Sequence, residues 1–440
     1  MTPFHTKDIT MIGLMLLALF FGAGNMIFPP ALGQAAGIEV WPAMAGFVFT
    51  AVGLPLLGVI AIAVSGGNLQ TMAGRVHPWF GVAFTVAVYF VIGPLFGTPR
   101  TATVAFEMGA FPFLPEGFDA YGWPLFLYTL IFFAITFWLA LNPSKLVNRI
   151  GKILTPLLLV IIGVLLVKSL IDPAGPFGTA MGDYKTQPFF RGFMEGYLTM
   201  DTLGALVFGI VVIRSVKERT NDRNTVISVT VKAGLVAALG LTLVYLTLGY
   251  LGATSQSLGM SENGGQILTS VVLQLFGHPG VLLLGTAVTL ACLTTSVGLV
   301  TSSAFYFSSL IPGLDYKKTA AALCIAAMVV ANMGLTQIIA VSIPVLTALY
   351  PMAIVLILLS LFPSLNQARE IYGLALIGTA LVSFTDGLKA MNISLGWTDQ
   401  VYGWLPFYSE GIGWLLPGLL GALIGYAWHR LKPHGSLSRA

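Results

Sequence analysis

Three short stretches bring polar chemistry into an otherwise apolar chain. The first is Leu19-Phe20-Phe21-Gly22-Ala23-Gly24-Asn25-Met26-Ile27-Phe28-Pro29-Pro30. Glycine costs about 1 kcal/mol in a helix interior and proline about 3 kcal/mol. Two glycines, an asparagine and a Pro-Pro pair within one apolar run predict a membrane helix that unwinds near its middle. Unwinding frees backbone amides and carbonyls, which lipid does not tolerate, so such a break must be buried or line a cavity. The N-terminus of the second half-helix can then receive an anion, and freed carbonyls can hold a cation. The competing reading is close glycine packing between helices, which would require neither Asn25 nor the prolines.

The second stretch is Gly196-Tyr197-Leu198-Thr199-Met200-Asp201-Thr202-Leu203-Gly204. A carboxylate inside a membrane helix costs at least ~2.5–3.5 kcal/mol and marks a functional site unless it lies near the interface. For Asp201 the interfacial alternative stays open at this point. The third stretch is Ala291-Cys292-Leu293-Thr294-Thr295-Ser296. Its hydroxyls and the Ala291 carbonyl, one turn apart, offer neutral oxygens of the kind hard cations prefer. Taken alone, hydroxyls bonded back to their own helix explain this stretch better than a cation site does.

No catalytic constellation accompanies them. The chain has no nucleophile elbow, no phosphate-binding loop and no zinc-ligand spacing. His5, His77, His278, His429 and His434 fall at loops or termini, and Cys292 and Cys324 lie inside apolar runs. Two buried thiols make no disulfide framework. Without a phosphate-binding loop, an ion gradient is the expected energy source.

The elements that must position these residues are membrane helices. Of 440 residues, 56% are hydrophobic and only 9% are Asp, Glu, Lys or Arg, whereas soluble domains use roughly 25% charged residues. The net charge of +4 is spread over loops, which suits an anionic membrane surface and argues against nucleic acid. A span needs roughly 20 apolar residues. Twelve runs qualify, near 10–32, 41–64, 80–104, 122–141, 146–170, 193–213, 225–251, 280–311, 319–333, 338–361, 372–389 and 411–431. The ninth is short and the eighth long. The first could pass for a secretory signal, but its length and its interruptions read as a span. An N-terminus on the cytoplasmic side puts fifteen of the 21 Lys and Arg inside. Only Arg100, Lys168, Lys185, Arg191 and Lys389 fall outside, and Lys232 lies within a span. That bias predicts both termini in the cytoplasm. The acidic residues Glu107, Glu116, Asp119, Asp172, Asp183, Glu262, Asp399 and Glu410 fall mostly outside. The segment 66–78 is expected to hold a short interfacial helix, and 254–278 to be a long external loop, either connector or lid. The first and sixth spans, both interrupted, suggest two inverted five-helix repeats.

Phe21-Gly22-Ala23-Gly24-Asn25-Met26-Ile27-Phe28-Pro29-Pro30, together with Tyr197-Leu198-Thr199-Met200-Asp201-Thr202-Leu203, resembles the bacterial branched-chain amino acid carriers (LIVCS, system II carriers). The resemblance covers essentially the whole chain. It implies sodium-coupled symport of leucine, isoleucine and valine across the bacterial cytoplasmic (inner) membrane by alternating access. It also implies an all-α, twelve-helix protein of the leucine-transporter (LeuT) type in one membrane domain. Repeat one would run about 8–170, repeat two about 190–362, and two extra helices about 370–431. Gly22-Ala23-Gly24-Asn25 is similar to the Gly-x-Gly-Asn break of that fold. The implied substrate site is Gly22, Ala23, Gly24, Asn25, Tyr197, Thr199, Asp201 and Thr202, with the amides around Ala23 and Gly24 facing the substrate carboxylate. The implied sodium ligands are Ala18, Phe21, Ala291, Thr294 and Thr295. Sodium is the coupling ion, and no cofactor is expected. Pro29-Pro30 and Asp201 depart from better-known members of the fold. The alternatives are a proton-coupled carrier of small neutral amino acids, a channel, and a membrane enzyme. No span carries a continuous polar stripe for a channel, and Asp201 alone is a candidate for enzyme chemistry.

Overall fold

The computed structural model describes residues 4–66, 68–115, 117, 119–141, 146–365, 367–393 and 395–431, with side chains left out of account at 146–155. The sidedness assigned to Lys145, Lys432, Arg439 and Glu116 therefore lies outside the described residues, as do His434 and the side chains of Arg149 and Lys152.

The described residues are helical nearly throughout. In chain order the helices are α1 (Thr6–Phe20), α2 (Ala23–Ala36), α3 (Val40–Val48), α4 (Leu54–Ser65), α5 (Leu69–Ala73), α6 (Pro78–Phe90), α7 (Gly97–Gly109), α8 (Trp123–Ala140) and α9 (Leu146–Ile171). They continue as α10 (Pro188–Glu195), α11 (Asp201–Lys217), α12 (Arg223–Ala253), α13 (Gly264–Leu310), α14 (Tyr316–Ala331), α15 (Leu335–Ser360), α16 (Arg369–Ala390), α17 (Thr398–Tyr402) and α18 (Leu415–Leu431). Each of the twelve apolar runs contains helix. Among the described residues, seven helical runs are long and apolar enough to cross a membrane unaided. The pair Pro188–Thr199 and Asp201–Lys217, bent by 46°, makes an eighth if read as one span.

Four expectations change. First, the break in the first span is confined to Phe21 and Gly22, and Asn25, Pro29 and Pro30 lie inside α2 rather than in an unwound stretch. The amides that the two prolines lack leave that helix with missing internal bonds, but their fixed φ is helical. Second, the external loop 254–278 is largely helix. Asn263 caps α13 by accepting from the Gly265 and Gln266 amides (3.0 and 3.1 Å). Gly277, at φ 67°, then turns the chain into the long part of α13; only glycine adopts that conformation cheaply. Third, Arg100 lies in α7 and is 1% exposed, so it is no loop charge. Fourth, Glu107 is also buried in α7, where its carboxylate accepts from the Tyr121 hydroxyl (2.7 Å) and Gln266 Nε2 (3.2 Å). Buried charges persist only when hydrogen-bonded, and both have partners. The short helix expected within 66–78 is α5, capped by Asn68, which accepts from the Thr71 amide (2.9 Å).

The chain divides into two compact units, Met1–Val59 with Ala87–Ser342, and Ile60–Val86 with Ile343–Ala440. In the larger unit α2 packs along α12 and α13, α1 along α12, α10 along α3, and α7 along α13. In the smaller unit α16 pairs with α18.

Candidate functional site

The two breaks come together. Phe21 (φ −72°, ψ 90°) and Gly22 (φ −125°, ψ −166°) are extended between α1 and α2. In a continuous helix the Gly22 amide would meet the Ala18 carbonyl; here it donates to Asn25 Oδ1 (2.8 Å). Asn25 thereby satisfies one free donor at the start of α2 with its own side chain. In the sixth span, Met200 (φ 63°, ψ 13°) separates the short turn Gly196–Thr199 from α11. A non-glycine residue held in the left-handed region costs roughly 1–2 kcal/mol, so surrounding contacts must hold it there.

One such contact is Asn25 itself. Its Nδ2 donates to Asp201 Oδ2 (2.9 Å), and the Tyr245 hydroxyl of α12 donates to the same oxygen (2.5 Å). Asn25 and Tyr245 also touch each other. The Asp201 amide donates to Thr199 Oγ1 across the break (3.3 Å). Asp201 is 5% exposed, so its carboxylate lies inside the helix packing, held by side chains from α2 and α12. Arg100 supplies a second contact. Its Nη1 donates to the Leu198 carbonyl (2.6 Å), one of the acceptors that the break leaves at the end of the Gly196–Thr199 turn. Its Nη2 donates to Ser342 Oγ (3.1 Å), and the guanidinium lies 5.0 Å from the Phe28 ring centroid. A cation at the carbonyl end of a helix is favourably placed.

Between the breaks lies a cavity of about 60 Å³, room for roughly four to six water molecules at 10–15 Å³ each. Its polar lining comes from Gly22, Ala23, Gly24, Asn25, Thr199 and Asp201, with Arg100 and Thr101 from α7 and Thr295 from α13. Its apolar lining comes from Leu19, Phe20, Ile92, Met200, Phe208 and Leu299. The lining thus combines two half-helix N-termini, a carboxylate and a guanidinium with aliphatic and aromatic side chains. A zwitterion with an apolar side chain matches that combination.

A family model described as "Branched-chain amino acid transport protein" matches residues 5–432. The chain belongs to the branched-chain amino acid transport protein family. It is 51% identical to the branched-chain amino acid permease BraB of Bacillus subtilis, over 96% of this chain and 95% of that one. It is 47% identical to the branched-chain amino acid transport system 2 carrier protein of Pseudomonas aeruginosa over the full length of both. It is 41% identical to the permease BrnQ of Escherichia coli, over 97% of this chain and 96% of that one. These relatives are named as permeases and carriers, so this family member is a transporter and not an enzyme. Among solved structures, Mhp1 in an inward-facing conformation superposes with a TM-score of 0.63 at 17% identity, covering 95% of this chain and 90% of that one. A closed conformation of Mhp1, a nucleobase-cation-symport-1 family transporter with bromovinylhydantoin bound, gives 0.61 at 14% identity, covering 96% and 92%. The family member accordingly has the LeuT-type helical fold.

Of the residues singled out in this carrier's sequence, Gly22, Ala23, Gly24, Asn25, Thr199, Asp201 and Thr295 line the cavity. Tyr197 and Thr202 are buried but do not line it; Tyr197 packs edge-on against Phe193 (5.6 Å between centroids). Ala18, Phe21, Ala291 and Thr294 also lie off its lining. Thr294 Oγ1 donates to the Ala291 carbonyl (2.8 Å), the back-bonded arrangement. Thr295 stands beside the break, since a Cβ built on Gly22 would lie 3.2 Å from its methyl and 3.6 Å from its hydroxyl. Arg100, Thr101 and Tyr245 are absent from the sequence-derived site. Arg100 and Glu107 are seven residues apart, hence on one face of α7, and that spacing is the sequence signal that could have marked them as buried together. Tyr245, Gly249 and Gly252 fall on one face of α12 at i, i+4 and i+7, the small-residue pattern of a helix contact.

Proposed function

We propose that this carrier imports leucine, isoleucine and valine with sodium across the bacterial cytoplasmic membrane, with both termini in the cytoplasm. The observation that carries the reading is one cavity lined both by two half-helix N-termini with Asp201 and by aliphatic and aromatic side chains. The substrate names printed for the relatives point the same way. The amides of Ala23 and Gly24 receive the substrate carboxylate, as an α-helix N-terminus does for anions generally. Asp201 balances the ammonium group. Leu19, Phe20, Ile92, Phe208 and Leu299 enclose the aliphatic side chain. Tyr197 and Thr202 support the break from behind.

Sodium travels as cargo held by the Ala18, Phe21 and Ala291 carbonyls and the Thr294 and Thr295 hydroxyls. Two features support the fit. The Gly22 amide turns to Asn25 instead of the Ala18 carbonyl, and the Thr295 hydroxyl stands beside the same residue. All five are neutral oxygens, so the ion keeps its charge and responds to the membrane potential. One charge moving through 100 mV releases about 2.3 kcal/mol, and a tenfold sodium gradient adds about 1.4 kcal/mol. Together they support accumulation on the order of 10²–10³-fold.

A proton-coupled reading rests on one observation, the buried Asp201 carboxylate at the cavity, which could carry a proton in place of a cation. Proteoliposomes containing the purified protein separate the two. Under the sodium reading, an inward sodium gradient alone drives labelled leucine inward against its gradient, and a proton gradient alone does not. The reverse result supports protons. Equilibration without accumulation under either gradient removes symport.

A further inference from the structure

We infer that Gly204 sets the largest substrate side chain that the cavity accepts. This rests on the reading above, in which an amino acid occupies the cavity with its charged end at Asp201.

A glycine inside a helix is less stable than alanine there, so a buried helical glycine needs a physical reason. Four glycines line the cavity: Gly22, Gly24, Gly97 and Gly204. Three have a neighbour that accounts for them. A Cβ on Gly97 would lie 2.0 Å from the Ile92 carbonyl oxygen, one on Gly24 3.1 Å from the Thr199 carbonyl oxygen, and one on Gly22 3.2 Å from the Thr295 methyl. Gly204 has no such neighbour. The nearest atoms to a Cβ there are Phe208 Cδ2 and Cε2, both at 3.8 Å, an ordinary contact. Its backbone lies within α11 and its φ is not positive, so any residue could adopt it. Neither packing nor backbone geometry demands glycine. What glycine leaves is volume, and that volume is in the cavity.

Its place on the helix says whose volume it is. Asp201, Gly204 and Phe208 are spaced i, i+3 and i+7 and share one face of α11. Along that face run a carboxylate, a gap and an aromatic ring. A zwitterion anchored at Asp201 extends its side chain over Gly204 toward Phe208. A methyl group added at Gly204 removes space where the branch of leucine or isoleucine would lie, and less from the shorter valine. One methylene in an apolar pocket typically changes affinity about 10–200-fold.

The test is competition against labelled substrate uptake in proteoliposomes. Wild-type uptake of leucine is measured first; its absence would defeat the substrate reading and not this inference. In Gly204→Ala, half-inhibition by leucine and isoleucine is expected to rise at least about tenfold, by valine less, and by alanine not at all. Alanine is the better helix former, so the variant should fold. Gly298→Ala, off the cavity lining with open space around its Cβ, should leave the ranking unchanged. Phe208→Leu in the Gly204→Ala background should restore leucine by returning space at the far end. An equal loss for every substrate would overturn the inference, as would an unchanged ranking in Gly204→Ala. A Gly204→Ala protein that cannot be recovered folded would mean that the helix requires this glycine, which also overturns it.

Discussion

At the scale of single residues, Asn25 ties the two breaks together. Its Oδ1 receives the Gly22 amide and its Nδ2 reaches Asp201. Asp201→Asn keeps an acceptor for Asn25 and Tyr245 but removes the charge. Hydrogen bonds to charged groups are worth about 1.5–3 kcal/mol, so leucine affinity should fall roughly 10–100-fold with little loss of thermal stability; wild-type uptake kinetics in that variant would argue against a role at the substrate. Tyr245→Phe removes one donor to the same oxygen and should weaken leucine binding by a smaller factor, about 5–10-fold, corresponding to roughly 1–1.4 kcal/mol. Equal damage in both variants would mean that Tyr245 does more than hold the carboxylate. The two kinds of partner differ in how legible they were. Asn25 and Asp201 stand out because amide and carboxylate are costly in an apolar run. Tyr245 does not, because its ring suits an apolar helix and its hydroxyl is revealed only by what it meets. Arg100 was assigned to a loop because it lies near the end of an apolar run; its partners, the Leu198 carbonyl and Ser342, are distant in sequence.

At the scale of elements, the breaks were legible and their exact form was not. Gly22 marked the first, but Asn25, Pro29 and Pro30 were counted with the unwinding, although the fixed φ of the prolines lets them remain within α2. The helix at 264–277 was hidden because Gly264, Gly265 and Gly277 read as loop, while the Asn263 cap that starts it is a local bond that composition does not reveal. What holds α2 in register with Tyr245 is backbone contact with α12. A Cβ on Gly33 would lie 2.0 Å from the Gly249 oxygen, and one on Gly252 2.1 Å from the Pro30 oxygen. Gly252→Leu should therefore force the two helices apart, destabilising by about 1–3 kcal/mol or more and moving Tyr245 from Asp201. Thermal unfolding in detergent checks the first effect and leucine binding the second; an unchanged melting temperature would contradict the contact. A separate element-scale prediction concerns the connection after α16, where Lys389 Nζ and the Tyr408 hydroxyl both donate to Asp399 Oδ1 (2.9 Å each). The Lys389 and Tyr408 hydrogen bonds hold the Asp399 carboxyl below its ordinary range. A depressed folded-state value means the contribution is fully present above the unfolded value of about 3.9 and is lost as pH falls through the lower folded value. The stability difference between wild type and Asp399→Asn should thus be flat from pH 5 to 8 and shrink only below about pH 4. A difference that varies across the neutral range would point to another group.

At the scale of the whole molecule, hydropathy and the Lys and Arg bias carry most of the information, because lipid leaves helices as nearly the sole way to satisfy a spanning backbone. Each of the twelve apolar runs contains helix, and the fold matches Mhp1 despite 17% identity. Removing the buried Arg100 from the outside set leaves Lys168, Lys185, Arg191 and Lys389 and strengthens the charge bias. Single cysteines at the exposed positions Lys217 and Glu262, with Cys292 and Cys324 replaced, should label from the cytoplasmic and external sides respectively; labelling of both from one side would overturn the orientation. The three stretches that opened the sequence argument lie more than 80 residues apart, and bringing Gly22, Asp201 and Thr295 to one cavity is a property of the fold that no local pattern contains. That convergence makes the proposed sodium site testable: an ion shared by the first span and α13 would pre-set the amides at Ala23 and Gly24 for a carboxylate. Under that proposal sodium and leucine raise each other's affinity by the same factor. The decisive measurement is equilibrium binding of labelled leucine to the purified protein across a sodium titration, for wild type, Thr294→Ala, Thr295→Ala and Thr295→Ser. Leucine affinity is expected to rise with sodium in the wild type, to need more sodium in both alanine variants while reaching the same limit at saturation, and to change least in Thr295→Ser, which keeps the oxygen. Leucine affinity that does not depend on sodium in the wild type, or a sodium dependence untouched by Thr294→Ala and Thr295→Ala alike, would contradict the account.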